Sequence, residues 1–199
     1  MHEKPIAAGK SSFDLIDKEK FFNALDLKRD TVLLDVACGV GKYSIDASEI
    51  IGNEGVIYAI DLWEEGINAL RQTVAEKDIK NIRPILGDVN KRIPLEDRSI
   101  DVALMATVLH DLIEVNTEKG TLNEVRRVLR PGGRFMIIEF KKVEGPPGPP
   151  VAIRLTPEET EKIVSEYGFK QEKVIDVGPF NYLSVFTCSP SLRPFHNIG

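Results

Sequence analysis

The sequence predicts an α/β protein: a seven-stranded, mostly parallel sheet with helices on both faces and one antiparallel strand near the edge. Three observations carry this. Short apolar runs that end in an acid, at 32–35, 56–61 and 82–88, alternate with helical patterns, the order of elements that builds parallel sheets. A glycine loop, Gly39-Val40-Gly41, stands between the first run and the helix after it. The last two strand-like runs, 169–177 and 181–188, meet at Gly178-Pro179-Phe180-Asn181, too short a link for a crossover helix, so they are antiparallel neighbours.

Taken in order, residues 1–12 are polar and read as a mobile segment. Asp17 is a candidate N-cap for a short amphipathic helix with Phe21, Phe22 and Leu25 on its apolar side. The first strand lies near 32–36 and a helix near 42–51. Gly52-Asn53-Glu54-Gly55 is a turn into the second strand near 56–60. A helix over 64–77 places Ile67, Leu70 and Val74 on one face. Strands near 82–86 and 100–106 follow, then a helix over 117–129. Pro131-Gly132-Gly133 is a structural turn into a fifth strand at 134–140. Gly145-Pro-Pro-Gly-Pro-Pro150 can be neither helix nor central strand and reads as a stiff, extended linker. Thr156-Pro157-Glu158-Glu159 opens a helix with a cap, a proline in the first turn and a glutamate at the third helical position.

With 199 residues the chain has the size of one domain, with enough core to fold alone. Its formal net charge of −5 argues against a protein that grips the nucleic-acid backbone, which needs a basic footprint. Cys38 and Cys188 have neither metal nor disulfide spacing, so no metal is expected, and the compartment they suit is reducing, hence cytoplasmic. No apolar run is long enough for a membrane span, and the first residues lack the apolar stretch of a secretory signal. Monomer and homodimer both remain open.

The ligand of the glycine loop follows from charge. Glycine lets a ligand approach the main chain, because it has no Cβ and tolerates unusual dihedrals. A dinucleotide loop places pyrophosphate on the helix N-terminus and needs a third small residue for helix–sheet packing. Here that place is held by Ser44, and Asp35 ends the strand just before the loop. A carboxylate there repels pyrophosphate and suits a cation, which points to a nucleoside with a positively charged tail. Asp61 ends the second strand 20 positions after Gly41, where an acid binds ribose hydroxyls.

The run Asp35-Val-Ala-Cys-Gly-Val-Gly41, acidic Asp61, Gly87-Asp88, the strand from Asp101 to Ala106 and Val128-Leu-Arg-Pro-Gly-Gly133 together resemble the class I S-adenosylmethionine-dependent methyltransferases, in particular the broad group that includes the ubiquinone/menaquinone C-methyltransferases. The resemblance spans roughly residues 30 to 188. It implies a three-layer Rossmann-like methyltransferase fold, S-adenosylmethionine as cofactor and S-adenosylhomocysteine as product. It divides the chain into an N-terminal lid segment and short helix over 1–28, the cofactor-binding domain over 29–190 and a tail over 191–199. By resemblance, Gly39 and Gly41 let the main chain approach the methionyl group and ribose, and Ala37 lies in the same loop. Asp35 orders the loop and the ammonium side, and Asp61 accepts both ribose hydroxyls. Leu62 packs on adenine, Asp88 accepts from its amine with Val89 behind it, and Ala106 borders the methionyl group.

Several residues have a plainer alternative: Gly39 and Gly41 as a strand-to-helix turn, Asp61 as a helix N-cap, Asp88 as a turn cap, and Cys38 as a small loop residue. For the chemistry, methyl transfer is an in-line displacement, and alignment of the two reactants is the main task. A base is needed only if the acceptor must first lose a proton. His110, after the fourth strand, is the catalytic candidate; Asp111 and Glu139 are weaker ones. The expected acceptor is a small molecule covered by residues 1–25, the segment after His110 and the linker at 141–155, with Phe13 as an apolar lid residue. Two other classes compete: a protein that holds S-adenosylmethionine without transferring its methyl group, and a nicotinamide-dependent oxidoreductase, which Asp35 and Ser44 oppose.

Overall fold

A computed structural model describes residues 8–189. The expected tail over 191–199, and the first seven residues of the expected lid segment, lie outside the described residues. The elements run α1 (Lys18–Leu25), β1 (Val32–Val36), α2 (Lys42–Ile51), β2 (Val56–Asp61), α3 (Glu64–Glu76), β3 (Ile82–Leu86), β4 (Ile100–Ala106), α4 (Leu109–Glu114), α5 (Glu118–Val128), β5 (Leu129–Phe140), α6 (Pro157–Ser165), β6 (Phe169–Asp176) and β7 (Asn181–Cys188). One seven-stranded sheet is ordered β3-β2-β1-β4-β5-β7-β6. All pairs are parallel except β5–β7 and β6–β7, so β7 alone is reversed. This is the predicted architecture. The chain walks from β1 outward to β3, then returns to lay β4 on the other side of β1. The carboxyl ends of β1 and β4 therefore flank a topological switch point, the crevice where open α/β sheets bind ligands.

Central strands are apolar because both faces are covered. Leu33, Ile57, Val102, Leu104, Met136 and Ile138 pack on one face with Phe21 and Leu25 of α1 and Ala47 and Ile51 of α2. Leu34, Ile60, Ala103, Met105, Phe135 and Ile137 pack on the other with Leu109 of α4 and Leu122 and Val125 of α5. The cap signals of the sequence act where they were expected. Asp17 accepts from the Lys20 amide at 3.1 Å, and Thr156 and Glu159 form a reciprocal capping box on α6.

Several local readings are corrected. The segment is not loose at its far end: residues 9–11 are exposed, but Ser12 is 1% exposed and Phe13 5%. Ser12 Oγ lies 2.8 Å from Tyr43 Oη on α2 and 3.4 Å from Thr107 Oγ1 beyond β4, so this segment crosses the mouth of the switch point. Phe13 is a core residue rather than a lid, packed edge-on against Tyr43. Pro131-Gly132-Gly133 does not precede β5 but bulges within it. Leu129 already pairs with Ile100, Arg134 pairs with Val102, and Gly132 takes φ +74° to make the excursion. Helix α4 went unforeseen because it is six residues long and has no side-chain cap; it exists through the burial of Leu109 and His110. The segment at 145–150 is no extended linker. It curls around the guanidinium of Arg154, which the next element, a 3-10 turn over Val151–Ile153, brings back to it.

Candidate active site

The glycine loop is built by positive dihedrals at three positions, Ala37 (φ +55°), Gly39 (φ +57°) and Gly41 (φ +73°). At Gly39 a Cβ would meet nothing within 4 Å, so the main chain there faces open space for a ligand. At Gly41, the N-cap of α2, the positive φ favours glycine, and a Cβ would come within 2.5 Å of Leu70 Cδ1 on α3, which would have to shift.

Asp61 is oriented from both sides. Its Oδ2 accepts from the Gly39 amide and its Oδ1 from the Trp63 amide, each at 2.7 Å. The cap position of α3 is Trp63, so Asp61 is not that helix's N-cap but a tie between the glycine loop and the helix start. Burial is the main cause that pushes its pKa above the ordinary carboxylate value, against the backbone donors, which pull it down. Asp35 is fully desolvated. Its Oδ2 accepts from Ser44 Oγ at 2.6 Å, and burial, with Asp61 nearby, raises its pKa to about 7. Two destabilised carboxylates under one glycine loop form a site that gains from a cationic ligand and loses from a pyrophosphate.

Around this centre, Leu62 is 51% exposed at the end of β2. An apolar side chain held open beside Asp61 provides a face on which a flat ring can stack. Asp88 accepts from the Asn90 amide at 3.0 Å and pairs with Lys91 at 3.4 Å, so the turn-capping role is realised in the structure. Val89 is buried in the core. Ala106, at the end of β4, is half-buried and stands beyond Met105, which pairs with Val36 across the switch point. Two surface cavities, of about 290 and 570 Å³, lie beside β6 and β7 around Lys141 and Asp176; neither is lined by Gly39, Asp61 or His110.

On the β5 side of the crevice, His110 and Glu139 form a buried pair. His110 is 3% exposed and Glu139 is fully enclosed. Nδ1 lies 2.6 Å from Glu139 Oε2, a charge-assisted length, and the His110 amide donates to Oε1 at 3.3 Å. Nε2 lies 3.5 Å from Asp111 Oδ1. Burial works against protonation of the ring, but the Glu139 carboxylate and then Asp111 outweigh it, and the pKa of His110 stands above the ordinary histidine value. Glu139 and Arg154 are the residues that sequence reading undervalued or missed. A lone acid at a strand end and a lone arginine after a proline run have no local pattern, and only the alignment of β4 with β5 and the return of the chain after residue 150 give them partners.

The molecule is thus an open α/β sheet with a nucleoside-type crevice at its switch point and a histidine–carboxylate pair beside it. The family described as "Methyltransferase domain" matches the chain over residues 27–178, and the protein belongs to that family, the S-adenosylmethionine-dependent methyltransferases. An S-adenosylmethionine-dependent methyltransferase from Aquifex aeolicus superposes with a TM-score of 0.81 at 32% identity, covering 89% of this chain and 92% of that one. A demethylmenaquinone methyltransferase from Listeria monocytogenes is 31% identical over 122 residues, 61% of this chain and 50% of that protein. A ubiquinone/menaquinone biosynthesis C-methyltransferase from Azotobacter vinelandii is 28% identical over 117 residues, 58% of this chain and 45% of that protein. The chain therefore spans about half the length of these two relatives. Among the described residues no helix is long and apolar enough to cross a membrane.

Proposed function

We propose that the protein transfers the methyl group of S-adenosylmethionine to a small hydroxylated aromatic acceptor of the quinol type. The observation that carries the transfer is the buried His110–Glu139 pair, Nδ1 to Oε2 at 2.6 Å, on the β4–β5 side of the cofactor crevice. The cofactor side rests on fit. Asp61 offers its remaining lone pairs to the ribose diol, Gly39 leaves room at the main chain, Leu62 supplies the apolar face for adenine, and Asp88 and Val89 border it. Ala37, Gly41, Ala106 and Asp35 enclose the methionyl end, where the raised pKa of Asp35 marks a carboxylate that gains from positive charge. When bound, S-adenosylmethionine supplies an electrophilic methyl group with a neutral leaving group.

The chain's own contribution on the acceptor side is proton handling. Glu139 accepts a hydrogen bond from Nδ1–H of His110, the tautomer that leaves the Nε2 lone pair, on the side of Asp111, to receive a proton from an acceptor hydroxyl. Removing that proton makes the ring carbon or the oxygen of a quinol nucleophilic. The same carboxylate stabilises the imidazolium once the proton has arrived. The quinone-type acceptor draws on what the Listeria and Azotobacter relatives are named for.

The test is incubation of the full chain with isotope-labelled S-adenosylmethionine and a short-chain demethylated naphthoquinol, followed by mass spectrometry. Label in the quinol supports the reading. Tight cofactor binding with no labelled product from this probe or from a panel of phenols and amines favours the binding-protein alternative, which the 3% exposure of His110 keeps open.

A further inference from the structure

The carbonyl groups of Lys141, Val143, Gly145, Pro147 and Pro149 converge on one cation. Arg154 Nη1 donates to Lys141 O at 3.1 Å and Val143 O at 2.8 Å, Nη2 to Gly145 O and Pro147 O at 3.0 Å each, and Nε to Pro149 O at 2.9 Å. Every second residue of the loop turns its carbonyl inward. A guanidinium has five N–H donors in a fixed fork, and here each is used once on the main chain. No carboxylate is among these partners, although the side chain is 2% exposed. The sequence explains the device. A stretch rich in proline and glycine has few amide donors of its own and cannot satisfy its carbonyls by forming helix or sheet, so an external multi-donor cation gives it a shape.

That shape lies over the proposed acceptor side. Gly148, at φ +104°, rests so close to Phe140 that a Cβ would stand 2.7 Å from its Cδ1, and Arg154 Cζ lies 5.6 Å from the same ring on the cation–π scale. Phe140 in turn meets His110 edge-on with centroids 6.4 Å apart. The 3-10 turn Val151–Ile153 packs on α4, the helix that carries His110. The sheet order puts all this at the carboxyl ends of β4 and β5, on the far side of the switch point from Asp61, Leu62 and Asp88.

We propose that loop 141–150, moulded on Arg154, is the wall that covers His110, and that Arg154 is a positioning residue that sets acceptor access without touching cofactor. The acceptor part rests on the function proposed above; the wall itself does not. Its test uses the full chain with three readouts: carbethoxylation of His110 by diethyl pyrocarbonate, calorimetry with S-adenosylhomocysteine, and KM and kcat with the naphthoquinol probe. Only three histidines are present, so peptide mass spectrometry isolates His110. Arg154→Lys keeps the charge and loses two donors. We expect His110 to be modified about tenfold faster, product affinity to stay within about twofold, and KM to rise more than kcat falls. Gly148→Ala, which pushes a methyl into Phe140 without altering the guanidinium, gives a second route if Arg154→Lys does not fold.

His110 remaining protected in a folded variant overturns the proposal. So does a parallel loss of His110 protection and product affinity, which marks general loosening. His110 opening in the variant while the wild-type chain transfers nothing to the quinol supports the wall and sinks the acceptor assignment.

Discussion

At the scale of single residues, the site is a balance of buried charges. Asp61 is held by two amides, from Gly39 and Trp63, and retains further acceptor capacity. Asp61→Ala is expected to weaken S-adenosylhomocysteine binding by about 1–3 kcal/mol, the scale of a lost charge-assisted acceptor, and calorimetry on the folded variant checks it. Unchanged affinity would remove Asp61 from the site. For His110 the expectation is kinetic. His110→Ala should spare product affinity and lower turnover roughly 10²–10⁴-fold if the ring is a general base. The base must be neutral before it acts, and its pKa stands above the ordinary histidine value, so wild-type kcat/KM should rise with pH through a limb above that value. Glu139→Gln, which keeps the shape and removes the charge, should move that limb to lower pH, because the largest influence favouring the imidazolium is gone. A limb that does not move assigns the titration to another group.

Elements in this protein owe their existence to different forces, and the difference was visible in advance only for some. α1 and α6 announce themselves through Asp17 and through the Thr156–Glu159 box, because capping is chemistry between residues three apart. Thr156→Ala should cost about 1 kcal/mol in urea unfolding without affecting cofactor affinity, since α6 lies away from the crevice. α4 has no cap and six residues, too few to be stable alone; it forms because Leu109 and His110 are buried by the rest of the molecule. The segment before α1 looked loose because it is polar, yet Ser12 finds Tyr43 and Phe13 finds an aromatic cluster. Phe13→Ala is expected to cost about 3 kcal/mol, the cost of truncating a core aromatic. Destabilisation near zero in urea titration would return this segment to the status of a tail.

For the whole molecule, one carboxylate links site and stability. Asp35 has a folded pKa of about 7, well above the ordinary 3.8. Between those values the folded chain holds a proton that the unfolded chain has lost. Stability from this group is therefore fully present at low pH and falls as pH rises from about 4 to about 7, by on the order of 2–4 kcal/mol. Asp35→Asn should flatten that slope in a series of unfolding curves. In the wild-type chain, binding of cationic S-adenosylmethionine relative to its uncharged-sulfur product should strengthen as pH rises through about 7, when Asp35 gains its charge; a ratio independent of pH separates Asp35 from the cofactor. The sequence by itself determined the α/β class, the seven strands, the reversed strand and the glycine loop with its acids. Those properties are written in local spacing: apolar period, loop length, and an acid at the end of each of the first three apolar runs. It did not determine the pairing of His110 with Glu139, 29 positions apart, or the closing of loop 141–150 on Arg154. Only tertiary structure decided these, because each is a contact between side chains and carbonyls whose partners become neighbours when β4 lies beside β5 and the chain folds back. Burial then fixed their meaning: the same histidine and arginine on a solvated surface would be ordinary charges, and in the interior their donors are matched to acceptors.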